Sequence, residues 1–564
     1  MPGQLDRCEG VRAPHPACLV LALALSACRS GPEPRPVVAE PQAPIAVPEG
    51  LARSPLNPLE KANQALDRLA YGSRPGEAEA LASGGDVAVW AWVEAQLFPE
   101  ALADAHVDRV LSALPTVGLT SAELYRDYPS LNDVAKARGV DLGNEDQKRQ
   151  LLNELDPDRL ARRIDEDLED QKLVRAVESR RQLNEVLADF WFNHFNVDIE
   201  KGKMRWLITS YERDAIRAHL FGRFRDLLGA VAHSPGMLFY LDNAESVRER
   251  PPNPRRPRAA RGLNENYARE LMELHTLGVN GGYTQADVRE AARCLTGFGL
   301  GGPKQGDLAG TFQFHPKEHD DGEKVVLGRV FPAGQGEADG EQLLDLLASH
   351  PSTAHFLAFE LARHFVADDP PPALVERLAK RYLESGGDLR QVYLALFASP
   401  ELWSREAYRV KVKTPLELAV SAVRVLDGHL DNAAPLADEI RKMGEALYKC
   451  QPPTGYPDVA AAWVNSGALV ERLSFGLRLA AGKVGGAHGH VLPFVPGRRR
   501  ADPSAFVDLA AASLLSGQLT PETREVVTKE FAPAARIMPD GEIRPLDVAR
   551  LAGLLLGSPE FQRR

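Results

Sequence analysis

The stretch LNENYARELMELHTLGVNGGYTQADVREAARCLTGF, residues 263–298, reads as two helices joined by a tight turn. At about 100° per residue, Leu263, Tyr267, Leu271 and Leu274 fall on one face of the first helix, which is expected over Leu263 to Leu277. Asn280-Gly281-Gly282 interrupts the pattern with residues that favour turns. Thr284 and Asp287 then have the spacing of a capping box, with Asp in place of the usual Glu. Val288, Ala291, Leu295 and Phe298 follow as the buried face of the second helix. A helical hairpin of this kind points to a mainly α body.

Helical periodicity continues on both sides of the hairpin. Leu59, Ala62, Leu66 and Leu69 recur after Pro58, and Gly72 ends that run. Residues 133–182 are charge-rich with Leu at helical intervals. Leu183, Leu187, Phe190 and Trp191 make an apolar stripe, and Ser234 before Pro235 marks a helix start. Residues 310–330 differ: Phe312 and Phe314 alternate, a polar turn follows, and Val325-Val326-Leu327-Gly328 completes what reads as a small β-hairpin. The expected architecture is a multi-helix globular body with a hairpin insertion near 310–330. It divides into a helical core domain over 58–430 and a C-terminal helical region over 431–564.

The N-terminus carries an address. Residues 17–27 form an apolar run of signal-sequence length, too short to span a bilayer permanently, and Arg7 and Arg12 precede it. Leu25-Ser26-Ala27-Cys28 resembles the bacterial lipobox, in which the cysteine is lipidated and becomes the new N-terminus. Residues 1–27 are therefore expected to be a lipoprotein signal peptide and Cys28 the lipidation site. Prolines crowd the stretch 28–57, including Pro32, Pro34, Pro36, Pro41, Pro44 and Pro48, which predicts an extended tether. The expected location is the cell envelope, outside the cytoplasm, in the periplasm or at the outer membrane, with the lipid on Cys28 as the membrane contact.

Composition narrows the function. The chain has 67 Lys and Arg against 78 Asp and Glu, for a net charge of −11. That acidity excludes general nucleic-acid binding, which needs a basic footprint. The local basic clusters, Arg255, Arg256, Arg258 and Arg261 among prolines and Arg498 to Arg500, read as solvated loops. No CxxC occurs, so a thiolate zinc site has no support. Cys294 and Cys450 are the two cysteines of the body, and either a disulfide or two buried thiols fits them. Gly297-Phe-Gly299-Leu-Gly301-Gly302 contains GxGxxG but follows a helix, outside any βαβ unit, so it is no nucleotide site.

Three groups of residues could carry chemistry. On the first helix of the hairpin, Glu270 falls among the apolar residues, with Asn266 and Glu273 along the edge. A carboxylate turned toward a core needs a partner, a proton or a metal. His194, preceded by Asn193, lies within the apolar stripe of residues 183–195, where a neutral imidazole serves as metal ligand or general base. The expected hairpin places His315, His319, Asp320, Asp321 and Lys324 in one turn, and His beside Asp suits hard or borderline metals. Glu270, Glu273 and His194 are the catalytic candidates. His194, Glu270, His319 and Asp320 are the candidate ligands of a divalent metal ion, with Asn193, Asn266 and Lys324 in support. Each has a structural alternative: a buried ion pair for Glu270, a satisfied core histidine for His194, and a solvated turn for residues 315–324.

The same residues carry a family resemblance. Asn264 to Gly278, Tyr283 to Val288 and Leu295 to Phe298 closely resemble the signature of the bacterial domain-of-unknown-function 1800 family. Phe190-Trp191-Phe192-Asn193-His194-Phe195, Leu238 to Asn243, His319-Asp320 with Lys324 and Gly328, His350-Pro351, Lys413-Thr414-Pro415, Cys450-Gln-Pro-Pro and Trp463 to Gly467 also look familial. The resemblance spans roughly residues 58–480 and leaves the tail unplaced. It implies an exported, largely helical protein of no established activity. It also implies a secreted partner from the sulfatase-like domain-of-unknown-function 1501 family. The resemblance also implies that relatives can carry an aromatic residue at His275, which ranks it below His194 and His319.

Two functions are compatible with these readings. One is a metal-dependent extracytoplasmic hydrolase using His194, Glu270, Glu273, His319 and Asp320. The other is a non-catalytic surface scaffold or assembly factor for a secreted protein or polysaccharide, which predicts an exposed apolar patch.

Overall fold

Capping side chains set the helix starts. In the computed structural model, which describes residues 46–249, 262–301, 310–489, 502–539 and 542–564, Asn57 and Glu60 form a complete capping box at the start of α1 (Pro58–Leu69). Ala62, Leu66 and Leu69 of α1 are fully buried. The charge-rich stretch contributes α2 (Arg162–Glu178), and α3 (Gln182–His194) carries the apolar stripe. Ser234 accepts a hydrogen bond from the Gly236 N–H to start α4 (Pro235–Tyr240).

The signature hairpin becomes α5 (Asn266–Glu273) and α6 (Gln285–Leu295), and the Thr284–Asp287 capping box is present in full. The first helix is shorter than its periodicity predicts. Past Glu273 the backbone loosens into i−5 hydrogen bonds, from His275 N–H to Glu270 O and from Leu277 N–H to Met272 O. Within α5, Tyr267, Ala268, Leu271 and Met272 share the face turned to the core, and Glu270 lies half-buried at its edge.

The strands near residue 310 pair differently from the expected single hairpin. Strand β1 (Phe298–Leu300) pairs antiparallel with β2 (Phe312–Phe314), Phe298 opposite Phe314. Strand β3 (Lys324–Val326) pairs with β4 (Arg329–Phe331) across Leu327-Gly328. The two phenylalanines of β2 pack edge-on against Phe298, a contact Val325 and Val326 do not offer. Gly297 to Gly301 of the GxGxxG match lies at and within β1, not at a strand-to-helix turn.

Many further helices complete the body, among them α7 (Pro351–Phe365), α8 (Pro415–Val425), α9 (Ser466–Ala480) and α10 (Pro545–Leu556). Between α8 and α10 a third two-stranded sheet joins β5 (His429–Leu430) to β6 (Ala487–His488). The class is mainly α with small hairpins, as the periodicity predicts. Cys294 and Cys450 are both free and buried.

The described residues, from Ala46 onward, form one compact unit. Residues 46–57, expected in the tether, pack on the body: Leu51 is buried and the Ser54 hydroxyl donates to the Trp403 carbonyl at 2.6 Å. The signal segment, Cys28, the tether up to residue 45, and the basic clusters Arg255–Arg261 and Arg498–Arg500 lie outside the described residues. Among the described residues, no helix is long and apolar enough to cross a membrane.

Candidate active site

Helical spacing delivers the walls of a cavity of about 270 Å³. From α3, Asp189, Phe190, Asn193 and His194 face it. From α7, Phe356, Glu360, Arg363 and His364 do, one turn apart along a single stripe. The segment 445–463 covers the space, and Lys172 of α2 completes it.

That segment is irregular, so side chains hold it in place. Asn193 clamps Tyr456 by both backbone groups, accepting from its N–H at 2.7 Å and donating to its carbonyl at 2.9 Å. Asn196 donates to the carbonyls of Cys450 and Pro452, each at 2.8 Å. Gly455, at φ +68°, lies so close to α3 that a Cβ there would come within 2.4 Å of the Asn193 carbonyl. Only glycine suits both that conformation and that approach.

The cavity is charged and partly desolvated. Asp458 takes two partners: His364 Nδ1 at 2.8 Å and Lys411 Nζ at 2.7 Å. Against the burial that would raise it, the contacts with His364 and Lys411 and the nearby Arg564 hold the Asp458 carboxyl well below the usual carboxylate range. The other ring nitrogen of His364, Nε2, is buried with no hydrogen-bond partner. Lys411 also reaches Asp368 at 2.8 Å. Lys172 pairs with Asp189 at 2.6 Å.

Two acids behave in the opposite way. Burial, with Asp189 nearby, pushes the Glu445 carboxyl up to about 8, although it accepts from the Leu416 N–H at 2.8 Å. Burial also raises Glu360, against the Arg363 guanidinium 3.6 Å away. His194 donates to the His275 carbonyl at 3.2 Å, and desolvation pulls its pKa down to about 4. The cavity thus holds a carboxyl that is protonated near neutral pH, a neutral imidazole, and a second imidazole oriented by an ionised carboxylate. Such a set supports proton transfer in both directions.

The other sequence candidates sit elsewhere. Glu270 and Asn266 line an open groove with Asp198, Lys201 and Tyr240, and burial beside Glu273 raises the Glu270 pKa. The Glu270 carboxylate has no hydrogen-bond or ion-pair partner among the described residues, so the arginine of a buried ion pair is not found there. Glu273 accepts from the Tyr283 hydroxyl at 3.2 Å. His319 is fully buried between the Thr296 carbonyl (2.7 Å) and Asp339 (3.0 Å), and Lys324 meets the same Asp339 at 2.7 Å. Asp320 is held bidentate by Arg293 at 2.9 and 3.0 Å, which lowers its pKa to about 2. His194, Glu270, His319 and Asp320 do not gather into a metal-sized cluster. Among the described residues the group that does is His429, Asp431 and His488.

Of the residues singled out in the sequence, Asn193 and His194 line this cavity; Glu360, His364, Glu445 and Asp458 line it too and were not singled out. One signal was present. Five of the runs quoted for the resemblance, 190–195, 264–278, 413–415, 450–453 and 463–467, meet at this cavity, among them through Asn193, His194, Leu274, Thr414, Cys450 and Trp463.

Residues 64–563 match the family described as "Protein of unknown function (DUF1800)", including the segment after residue 480 that the resemblance left unplaced. No curated protein and no solved structure matches.

Proposed function

The chain belongs to the DUF1800 family of proteins of unknown function, and from that premise we propose that it is an enzyme performing acid–base chemistry on a small polar molecule in the α3/α7 cavity. The observation that carries this reading is the pairing of opposite pKa shifts within one cavity. Glu445 is protonated near neutral pH, while Asp458 stays ionised and orients His364. Environments that push titratable groups apart in this way assign an acid and a base. In this reading His364 accepts a proton at Nε2, Asp458 positions its ring through Nδ1, and Glu445 donates a proton. Phe190, Phe356 and Trp463 supply apolar wall area around a substrate. The lipobox-like run ending at Cys28 supports an enzyme that works in the cell envelope.

A panel of chromogenic esters, amides and glycosides incubated with the purified chain tests the proposal. The expected result is turnover of at least one class, falling by ~10²–10⁴-fold in both His364→Gln and Glu445→Gln while each variant still unfolds cooperatively. Absence of turnover across the panel, or turnover unchanged in both variants, overturns it.

A second reading, a docking scaffold for a secreted partner, is favoured by one observation. Leu469, Val470 and Leu473 are exposed on α9, close in sequence to Trp463 at the cavity wall. Leu473→Asp separates the two readings. It abolishes capture of a partner if the scaffold reading holds and leaves turnover intact if the enzyme reading does.

A further inference from the structure

We propose that His429, Asp431 and His488 form a surface site for a divalent transition-metal ion of the zinc class, separate from the cavity and independent of the reading given to it. The backbone sets up the arrangement. In the antiparallel pair β5–β6, His429 stands directly opposite His488, and directly opposed residues project from the same face of a sheet. Their rings stack with centroids 5.0 Å apart and planes 21° apart. Asp431, two residues beyond His429, places its carboxylate 2.9 Å from His488 Nε2 and 3.6 Å from His429 Nε2. One ligand atom from each residue lies within 4.8 Å of the other two. Ligands at about 2.0–2.1 Å from a tetrahedral zinc stand roughly 3.3 Å apart, so small rotations of three exposed side chains complete the set.

The strands that carry these residues are held firmly. The Asp431 N–H donates to the Gly486 carbonyl at 2.9 Å, and the Leu430 N–H donates to the Glu178 carboxylate at 2.9 Å. The backbones press together on both sides of the histidine pair. A Cβ on Gly428 would lie 2.5 Å from the His488 carbonyl, and one on Gly486 would lie 2.3 Å from the Asn432 carbonyl. The spacing of the two histidine Cα positions is therefore set by the backbone. No lysine or arginine pairs with Asp431 among the described residues; its ion-pair partners are the two imidazoles.

The donor chemistry selects the ion. Two imidazole nitrogens and one carboxylate suit zinc and its neighbours, whereas magnesium and calcium prefer all-oxygen sets. Three protein ligands on an exposed face leave at least one coordination position open to water. An ion there would tie residue 429 to residue 488 and so fasten the segment carrying α9 onto the strand that follows α8.

Tag-free full-length chain, titrated with Co²⁺ and then with Zn²⁺, tests the site. The expected result is one equivalent of Co²⁺ with visible d–d absorption, displaced by Zn²⁺ and not by Mg²⁺. Affinity is expected to fall by ~10-fold or more in His429→Ala and in His488→Ala, and saturable binding should disappear in the double variant. A rise in melting temperature with Zn²⁺ should accompany binding in the parent and be absent from the double variant. Exposure of both histidines makes these variants tolerable to the fold, which circular dichroism checks. Absence of saturable Co²⁺ binding by the parent chain, or binding of equal strength in the double variant, overturns the proposal.

Discussion

His364 and Asp458, ninety-four residues apart in sequence, meet at 2.8 Å. The contact joins α7 to the segment that covers the cavity, and Lys411 approaches the same carboxylate from a third part of the chain. Asp458 thus offsets the burial of the His364 ring and, with Asp368, that of Lys411, so its removal affects both stability and the orientation of the imidazole.

Asp458→Ala is expected to destabilise the fold by ~3–5 kcal/mol at pH 7, the usual cost of removing one partner from a buried charged pair. The pKa of Asp458 is depressed in the folded state. Its contribution is therefore fully present above the unfolded value of about 3.9 and is lost as pH falls through the folded value. Urea midpoints of parent and variant should differ most at neutral pH and converge under strong acid.

Glu445 predicts the opposite slope. Its folded pKa is raised to about 8, against about 4.3 in the unfolded chain. The folded state holds the proton that the unfolded state loses, so stability declines as pH rises from about 4 to 8. Glu445→Gln keeps an acceptor for the Leu416 N–H and removes the titration. The variant should match the parent at pH 4 and exceed it by on the order of a few kcal/mol at pH 9. Thermal unfolding across that range measures the crossover, and a parallel decline in the variant would refute it.

His194 governs part of the acid limb. Its folded pKa is pulled down to about 4, against about 6.5 unfolded. As pH falls from about 6.5 to 4 the unfolded chain takes up a proton that the folded one refuses, and stability is lost. His194→Phe, placed among Trp191, Phe195 and Phe356, should flatten this limb by on the order of 2 kcal/mol. Melting temperatures at pH 7 and pH 4.5 provide the check.

The Lys324–Asp339–His319 cluster is predicted to act in folding alone. All three side chains are fully buried, and Asp339 Oδ1 has no partner. Lys324→Met should cost ~3–5 kcal/mol by leaving Asp339 a single partner. Any turnover in the cavity should be unchanged at temperatures where the variant remains folded. A selective loss of turnover without a shift in the unfolding midpoint would contradict this assignment.

Local signals carried the fold class because each acts within a few residues. Ser234, Thr284 and Asn57 cap the helices they precede, and the stripes of α1 and α3 are buried as their spacing predicts. The placement of Glu270 was not legible. It depends on which face of α5 packs inward: Tyr267, Ala268, Leu271 and Met272 are the buried ones, a stripe rotated from the one that Leu263 and Leu274 suggest. His194 was legible because it lies within an apolar stripe. His364, Glu445 and Asp458 were not, since 445–463 has no period and its partners lie far off in sequence. His429-x-Asp431 alternates as a strand does, but its pairing with His488 is a long-range fact. Residues 46–57 look like tether by their prolines, yet Leu51 finds a buried contact.

The cavity draws its walls from Lys172 at one extreme and Trp463 at the other, which has a kinetic consequence. Contacts of such separation form late, after helices and helical hairpins have assembled locally, because loop-closure entropy opposes them first. The chain must therefore pass through states in which the helices exist and the pocket does not. In those states the Phe190 and Phe356 faces lack their covering segment and are open to self-association. Refolding of a protein built this way should show helix recovery ahead of site recovery, with the interval between them as the window for aggregation.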